Sequence, residues 1–139
     1  MGRIKRPKHG PEWYIQRDLM VYMKARGWHV ERMTGNMYQK GIPDLYCYHK
    51  TWGERWIDVK NDGKYSFTDD QKRKWPIWER AGIGIWILTG ANQQQYDLIF
   101  KPPNFRSYWK RSWDKEFNLE SLLQQLRDEE TQDKGMCEM

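Results

Sequence analysis

Residues 41–60 read GIPDLYCYHKTWGERWIDVK and contain the clearest structural signal in the chain. Apolar and polar side chains alternate over residues 43–49 and again over residues 55–60, with a turn around residues 51–53 between them. A period of two is typical of strands, so we predict a β-hairpin. The alternation places Leu45, Ile57 and Val59 together on the face that points toward the core.

The opposite face of this hairpin is predicted to carry Asp44, Asp58 and Lys60. Two neighbouring carboxylates repel each other unless a cation compensates them, and Mg²⁺ suits that role because it takes carboxylate, carbonyl and water oxygens. Glu12 lies on the apolar stripe of a predicted preceding helix and is thereby directed toward the sheet. Each of these residues also has an interpretation without a metal. Asp44 can be an ordinary turn residue, and Asp58 and Lys60 can belong to a solvent-exposed strand face. Glu12 can be a helix N-terminal acid that the helix dipole favours.

Apolar spacing, cap residues and glycines predict the remaining elements. They are a helix over residues 12–26, strands over residues 28–33 and 83–89, a helix from the N-cap Thr68 to residue 81 that Pro76 kinks or splits, a fifth strand over residues 96–100, and a helix on the leucines of residues 119–126 capped by Asn118. The order α-β-β-β-α-β indicates an α/β fold, a mixed sheet flanked by helices, with a C-terminal helical extension.

The composition excludes several classes of protein. A chain of 139 residues suits one domain, and at 38% hydrophobic residues and a mean hydropathy of −1.05 it has no run that suits a membrane helix. No apolar segment follows the basic N-terminus as in a signal peptide, so we expect a cytoplasmic protein. The cysteines, Cys47 and Cys137, suit neither a disulfide framework nor a four-ligand zinc site.

The net charge of +5 is unevenly distributed, with +10 on residues 1–113 and −5 on residues 114–139. A basic body attracts polyanions, above all nucleic acid, although such a charge can also serve solubility alone. Residues 101–113 interleave basic and aromatic side chains, which suits phosphate contact and base stacking, or else a hydrophobic lid over the sheet edge. The predicted DNA contacts are Arg3, Lys5, Arg6, Lys8, Arg106, Lys110 and Arg111.

Several motifs, taken in order, resemble a known family. Glu12 in a helix, residues 41–45 (GIPDL), residues 58–60 (DVK) and Gln71 at the start of the next helix resemble the PD-(D/E)XK nuclease superfamily. Within that superfamily, GIPDL and Gln71 are most similar to the VRR-NUC and phage-type Holliday junction resolvase branch. The resemblance covers residues 12–90 and implies a restriction-endonuclease-like fold. It also implies that the protein acts in the cytoplasm of a bacterial or phage-infected cell.

The resemblance also implies a metal site. Asp44 and Asp58 would bind Mg²⁺ or Mn²⁺ together with the main-chain carbonyl of Val59, and Glu12 would hold a metal-bound water or a second ion. Lys60 would orient or help to deprotonate the attacking water. Because Asp58 stands where many relatives carry Glu, the number of metal ions is left open at one or two.

The remaining role falls to Gln71, which the resemblance implies would position the water or a backbone phosphate. The chain is therefore predicted to be a Mg²⁺-dependent DNA endonuclease without an organic cofactor, acting on branched or duplex DNA by in-line hydrolysis. We expect a homodimer, since cutting two strands needs two active sites. The alternatives are a sequence-specific homing or restriction-type endonuclease, and a DNA-binding module that keeps the fold without catalysis.

Four segments are predicted along the chain. Residues 1–11 form a basic N-terminal arm, and residues 12–100 form the nuclease core. Residues 101–131 hold the basic–aromatic insert and the C-terminal helix, and residues 132–139 form a flexible tail. The acidic end of the chain is compatible with docking of a partner protein.

Overall fold

The computed structural model describes residues 9–33, 40–116, 123 and 126–130. Its elements are α1 (Pro11–Lys24), β1 (His29–Arg32), β2 (Leu45–His49), β3 (Gly53–Val59), α2 (Asp69–Arg80), β4 (Ile85–Leu88), α3 (Gln93–Tyr96) and α4 (Arg111–Glu116). Two 3₁₀ turns lie at Asp97–Phe100 and Phe105–Tyr108. The predicted order of the first six elements is confirmed. Among the described residues, no helix has the length and apolar character needed to cross a membrane.

The four strands form one mixed sheet in the order β1-β2-β3-β4. β1, β2 and β3 are antiparallel neighbours, and the hairpin of β2 and β3 pairs Leu45 with Ile57 and His49 with Gly53. β4 runs parallel to β3, with Asp58 opposite Ile87. A parallel connection needs a crossover, and α2 supplies it. The predicted mixed sheet flanked by helices is therefore confirmed.

Each face of the sheet is covered by its own apolar cluster. On one face, the α1 residues Leu19 and Met23 pack among side chains that include Leu45, Cys47, Ile57 and Val59. On the other face, Trp75 of α2 packs with Phe67, Ile85, Ile87 and Phe105. All four residues of β4 are buried, as the apolar run over residues 83–89 predicted. The two apolar clusters therefore cover both faces of the sheet near the end of β3.

The segment of residues 96–100 corrects one prediction, because it is helical instead of a fifth strand. Asn92 caps α3 by accepting a hydrogen bond from the main-chain N–H of Gln95 at 3.0 Å, and a 3₁₀ turn follows directly. Tyr96 and Ile99 are the buried residues of these two turns, and their spacing of three suits a helix. An apolar run of this length satisfies a strand and a helical turn equally well.

The second helix agrees with the prediction at its start and differs at Pro76. Thr68 forms a capping box with Gln71, in which each side chain bonds the main-chain N–H of the other residue. α2 then continues through Pro76 to Arg80, so the proline does not split it. The predicted cap at Asn118 lies outside the described residues, whereas residues 126–130 are helical.

Gly41 is a position where a side chain cannot be tolerated. Its φ is +80°, and a Cβ placed there would lie 2.8 Å from the main-chain carbonyl of Asp70. We expect Gly41→Ala to lower the free energy of unfolding by about 2–4 kcal/mol, from left-handed strain and overpacking together. Gly53→Ala is the matched control, because Gly53 also has φ +80° but no atom within 4 Å. Urea titration of both variants tests this, and equal losses would contradict the close-approach argument.

Candidate active site

Asp44 lies where the β2–β3 pairing ends. Its Oδ2 accepts a hydrogen bond from the main-chain N–H of Val59 at 2.8 Å, two residues beyond the last β3 residue that pairs with β2, Ile57. On the other side, its main-chain carbonyl accepts a bond from the N–H of Met33 at 2.8 Å, just after β1. Asp44 is therefore held from both neighbouring strands, and its carboxylate is fixed at the end of β3.

Asp58 and Lys60 lie on the α2 side of β3 and form a buried ion pair. Lys60 Nζ lies 3.0 Å from Asp58 Oδ2 and donates a hydrogen bond to Gln71 Oε1 at 2.8 Å. The rings of Phe67 and Trp75 cover the ammonium group, with centroids 4.6 and 5.6 Å from Nζ. The lysine is 5% exposed, so this charge is fixed by its partners and shielded from water.

One oxygen of Asp58 has no partner among the described residues. The residue is 1% exposed, Oδ2 pairs with Lys60, and Oδ1 is buried without a hydrogen bond. Buried polar atoms are nearly always satisfied, and a buried carboxylate needs a proton or a cation. Burial, and secondarily the charge of Asp44, raises the pKa of Asp58 to about 7. Asp58 therefore either takes up a proton or pairs with a further cation at Oδ1.

The pKa of the Asp44 carboxyl is raised as well. Burial is the main cause that raises the pKa of its carboxyl, and the negative charge of Glu12 adds to the effect. The Val59 N–H and the Lys60 ammonium act in the opposite direction. The region therefore contains more negative charge than Lys60 alone compensates.

Glu12 joins the site from the first turn of α1. Its Oε1 accepts a hydrogen bond from the main-chain N–H of Asn61 at 3.1 Å, which ties the start of α1 to the end of β3. Gln71 joins from α2, where the capping box with Thr68 fixes its position. The structure thus brings together the five residues predicted as catalytic, which are Glu12, Asp44, Asp58, Lys60 and Gln71.

The donor set fits a hard divalent cation that keeps part of its water. The described residues contain no group of three or more His, Cys, Asp or Glu placed to hold a metal, so Glu12 does not complete a direct set with Asp44 and Asp58. Mg²⁺ usually takes one or two carboxylates and keeps several waters. The carboxylates of Asp44 and Asp58, the second with its unpartnered Oδ1, are compatible with that coordination.

The predicted DNA contacts fall into three groups. Arg3, Lys5, Arg6 and Lys8 lie outside the described residues. Arg106 forms ion pairs with Glu79 at 2.8 Å and Asp114 at 3.1 Å, and hydrogen bonds to Glu79 and Asp114 raise the pKa of its guanidinium. It therefore ties its 3₁₀ turn to α2 and α4. Lys110 and Arg111 are exposed.

Two side chains near the site were not predicted from the sequence. Phe67 covers the Lys60 ammonium, and Lys72 follows Gln71 on α2. The only sequence signal for Phe67 is an apolar residue immediately before an N-cap.

The alternative of a lid at residues 101–113 also has support, since Phe105 and Trp109 pack against the α2 cluster.

Comparison with known proteins gives one structural likeness. No family model and no curated protein matches the chain. A solved structure described as a VRR-NUC domain is similar at a TM-score of 0.53 and 18% identity, over 70% of this chain and 97% of that one. The fold is therefore that of a VRR-NUC domain, which confirms the predicted restriction-endonuclease-like architecture.

Proposed function

We propose that this chain is a metal-dependent nuclease that hydrolyses phosphodiester bonds in DNA. The observation that carries the proposal is the buried Asp58, whose Oδ1 has no partner among the described residues and whose charge is only partly compensated by Lys60. The likeness to a VRR-NUC domain supports it. The net charge of +10 on residues 1–113 favours a polyanionic substrate.

Asp44, Asp58 and the carbonyl of Val59 would hold Mg²⁺ or Mn²⁺. When bound, such a cation screens the charge of the phosphodiester and lowers the pKa of a coordinated water. The residues of the chain orient the reactants around it. Glu12, anchored on Asn61, accepts a hydrogen bond from water.

Lys60 contributes a fixed positive charge. Its ammonium is held by Asp58 and by Gln71 Oε1, so it needs no reorganisation as negative charge develops on the phosphate oxygens. Because Gln71 uses its oxygen for Lys60 and for the Thr68 N–H, its amide nitrogen serves as the donor to water or phosphate. Water attacks phosphorus in line and gives its proton to the Glu12 carboxylate, while the bond from phosphorus to the opposite oxygen breaks and that leaving oxygen takes a proton from solvent.

Cleavage of labelled DNA with and without metal tests this proposal. Linear duplex, fork and four-way junction are incubated with Mg²⁺, Mn²⁺ or EDTA, and we expect metal-dependent products that EDTA abolishes. Preference for a branched substrate favours a resolvase-type enzyme, and cutting of one sequence in linear duplex favours a restriction-type enzyme. Binding without cleavage of any substrate would support a non-catalytic module and contradict the proposal.

We propose a homodimer, and light scattering of the full chain tests that assembly.

Metal binding should also be visible without DNA. Mg²⁺ is expected to raise the Tm of the protein, because a ligand at 100 times its Kd stabilises the folded state by about 2.7 kcal/mol. Asp58→Asn removes a carboxylate and should abolish this shift, whereas Asp69→Asn, at an exposed acid in the first turn of α2, should keep it. Thermal unfolding with Mg²⁺ and with EDTA provides the measurement. Equal shifts in both variants would place the metal elsewhere.

A further inference from the structure

A cavity lies beside the candidate active site. It has a volume of about 460 Å³ and is lined by side chains that include Tyr65, Phe67, Lys72, Lys110 and Trp113. That volume lies within the range of ~300–1,000 Å³ typical of small-molecule sites. The lining comes from three separate parts of the fold: the loop after β3, α2, and the segment that enters α4. None of the active-site functions proposed above uses this cavity.

The cavity combines aromatic faces with positive charge. Trp113 is half-buried, its ring lies 5.0 Å from Phe67, and the Nζ atoms of Lys72 and Lys110 lie 4.8 and 5.7 Å from its centroid. Aromatic rings beside cations are the arrangement that binds a nucleobase and its phosphate in single-strand-binding proteins.

The position of the cavity links it to the reacting phosphate. Phe67 forms part of its lining, and the same ring lies 4.6 Å from Lys60 Nζ. The Phe67 ring therefore separates the cavity from the Lys60 ammonium, which would face the reacting phosphate in the proposed nuclease. A nucleotide in the cavity would therefore lie next to the phosphate at Lys60.

We propose that this cavity binds one unpaired nucleotide of a DNA strand, with its base against Trp113 and its phosphate between Lys72 and Lys110. In a duplex, bases are stacked and present only their edges in the grooves, so a ring-lined cavity accepts a base only after it leaves the stack. The inference rests on the proposed nuclease function and names its substrate class. That class is DNA with an unpaired nucleotide next to the cleaved bond.

Binding without cleavage tests this inference separately from the nuclease proposal. Full-length protein carrying Asp58→Asn is titrated in EDTA with labelled single-stranded oligothymidine and with a duplex of equal length, and affinity is followed by fluorescence anisotropy. Trp113→Leu keeps apolar packing but removes the stacking surface, and base–aromatic stacking corresponds to roughly 5- to 150-fold in affinity. We expect about a 10-fold loss for the single strand and about 2-fold or less for the duplex.

Lys110→Ala keeps the test valid if Trp113→Leu does not fold, because Lys110 is exposed. It should lower the salt dependence of single-strand binding by about one phosphate contact. The matched controls are Trp52→Leu and Lys50→Ala, at exposed residues in or beside the β2–β3 turn, and they should leave the affinity unchanged. Equal losses for single strand and duplex, or no loss, would overturn the inference. Thymidine monophosphate should compete weakly, and competition as strong as that of the single strand would assign the cavity to free nucleotides.

Discussion

DNA cleavage is expected to fall by about 100- to 1,000-fold when Asp58 is replaced by Asn. The carboxylate is 1% exposed, and its Oδ1 has no hydrogen-bond partner among the described residues. Asn keeps the shape of the side chain but loses the negative charge that a hard cation requires. The variant therefore keeps the surroundings of the site and removes the charge at its centre.

The loss of activity should not come from unfolding. The amide oxygen of Asn can still accept a hydrogen bond from Lys60, and the substitution removes a charge whose burial is unfavourable. In this variant the buried Lys60 ammonium keeps its hydrogen bond to Gln71 and its interaction with the negative charge of Asp44, whereas loss of Lys60 leaves both carboxylates without a cation. We therefore expect the free energy of unfolding in EDTA to fall by less than about 2 kcal/mol. Urea titration beside the cleavage assay separates the two effects.

Asp69→Asn provides the matched control for this prediction, since it makes the same chemical change at an exposed acid of α2. Its cleavage rate should stay within about 2-fold of the unmodified protein, as surface substitutions rarely disturb a fold. If Asp58→Asn cuts DNA with unchanged rate and metal dependence, Asp58 is not a metal ligand and the proposed site is wrong.

Much of the site could be predicted because its signals are local. The period-two alternation of the hairpin places Asp58 and Lys60 on one face, and the cap at Thr68 fixes where α2 begins and so where Gln71 lies. Asp44 follows from its position beside the first residue of β2. These relations depend on a few adjacent residues, so the sequence contains them directly.

The burial of the site depends on residues far apart in sequence. Charged residues at alternating positions, as at Asp58 and Lys60, are typical of a solvent-exposed strand face. In the fold, however, the rings of Phe67 and Trp75, which come later in the chain, cover the Lys60 ammonium. Contacts between residues far apart in sequence also set the ion pairs of Arg106, which stays a predicted DNA contact. Its ion pair with Glu79 spans 27 positions and has no local sequence signal.

Lys60→Met is expected to destabilise the protein strongly and in a pH-dependent way. Met fills similar space beside Phe67 and Trp75 but leaves the buried Asp58 carboxylate without its cation. Removing one partner of a buried ion pair costs about 3–5 kcal/mol. We expect a loss of about this size near pH 8 in EDTA, measured by urea titration.

The sign of the pH dependence follows from the pKa of Asp58, which burial already raises to about 7 from an ordinary value of 3.8. Without Lys60 this pKa rises further, since the ammonium is one of the groups that lower it. A carboxyl whose pKa is higher in the folded state contributes most at low pH, and that contribution is lost as pH rises through the folded pKa. The cost of Lys60→Met should therefore be about 1.4 kcal/mol smaller near pH 5, where Asp58 is protonated, than near pH 8, about one pH unit above the pKa of about 7.

A double variant separates charge from packing. In the Asp58→Asn background, Lys60→Met leaves two neutral side chains, so its cost should be small and nearly independent of pH. Lys64→Met, at an exposed lysine in the following loop, controls for the general loss of a positive charge. A cost of Lys60→Met that is equal near pH 5 and pH 8, and that persists in the Asp58→Asn background, would mean that packing around the lysine stem supplies the stability and that the ion pair does not.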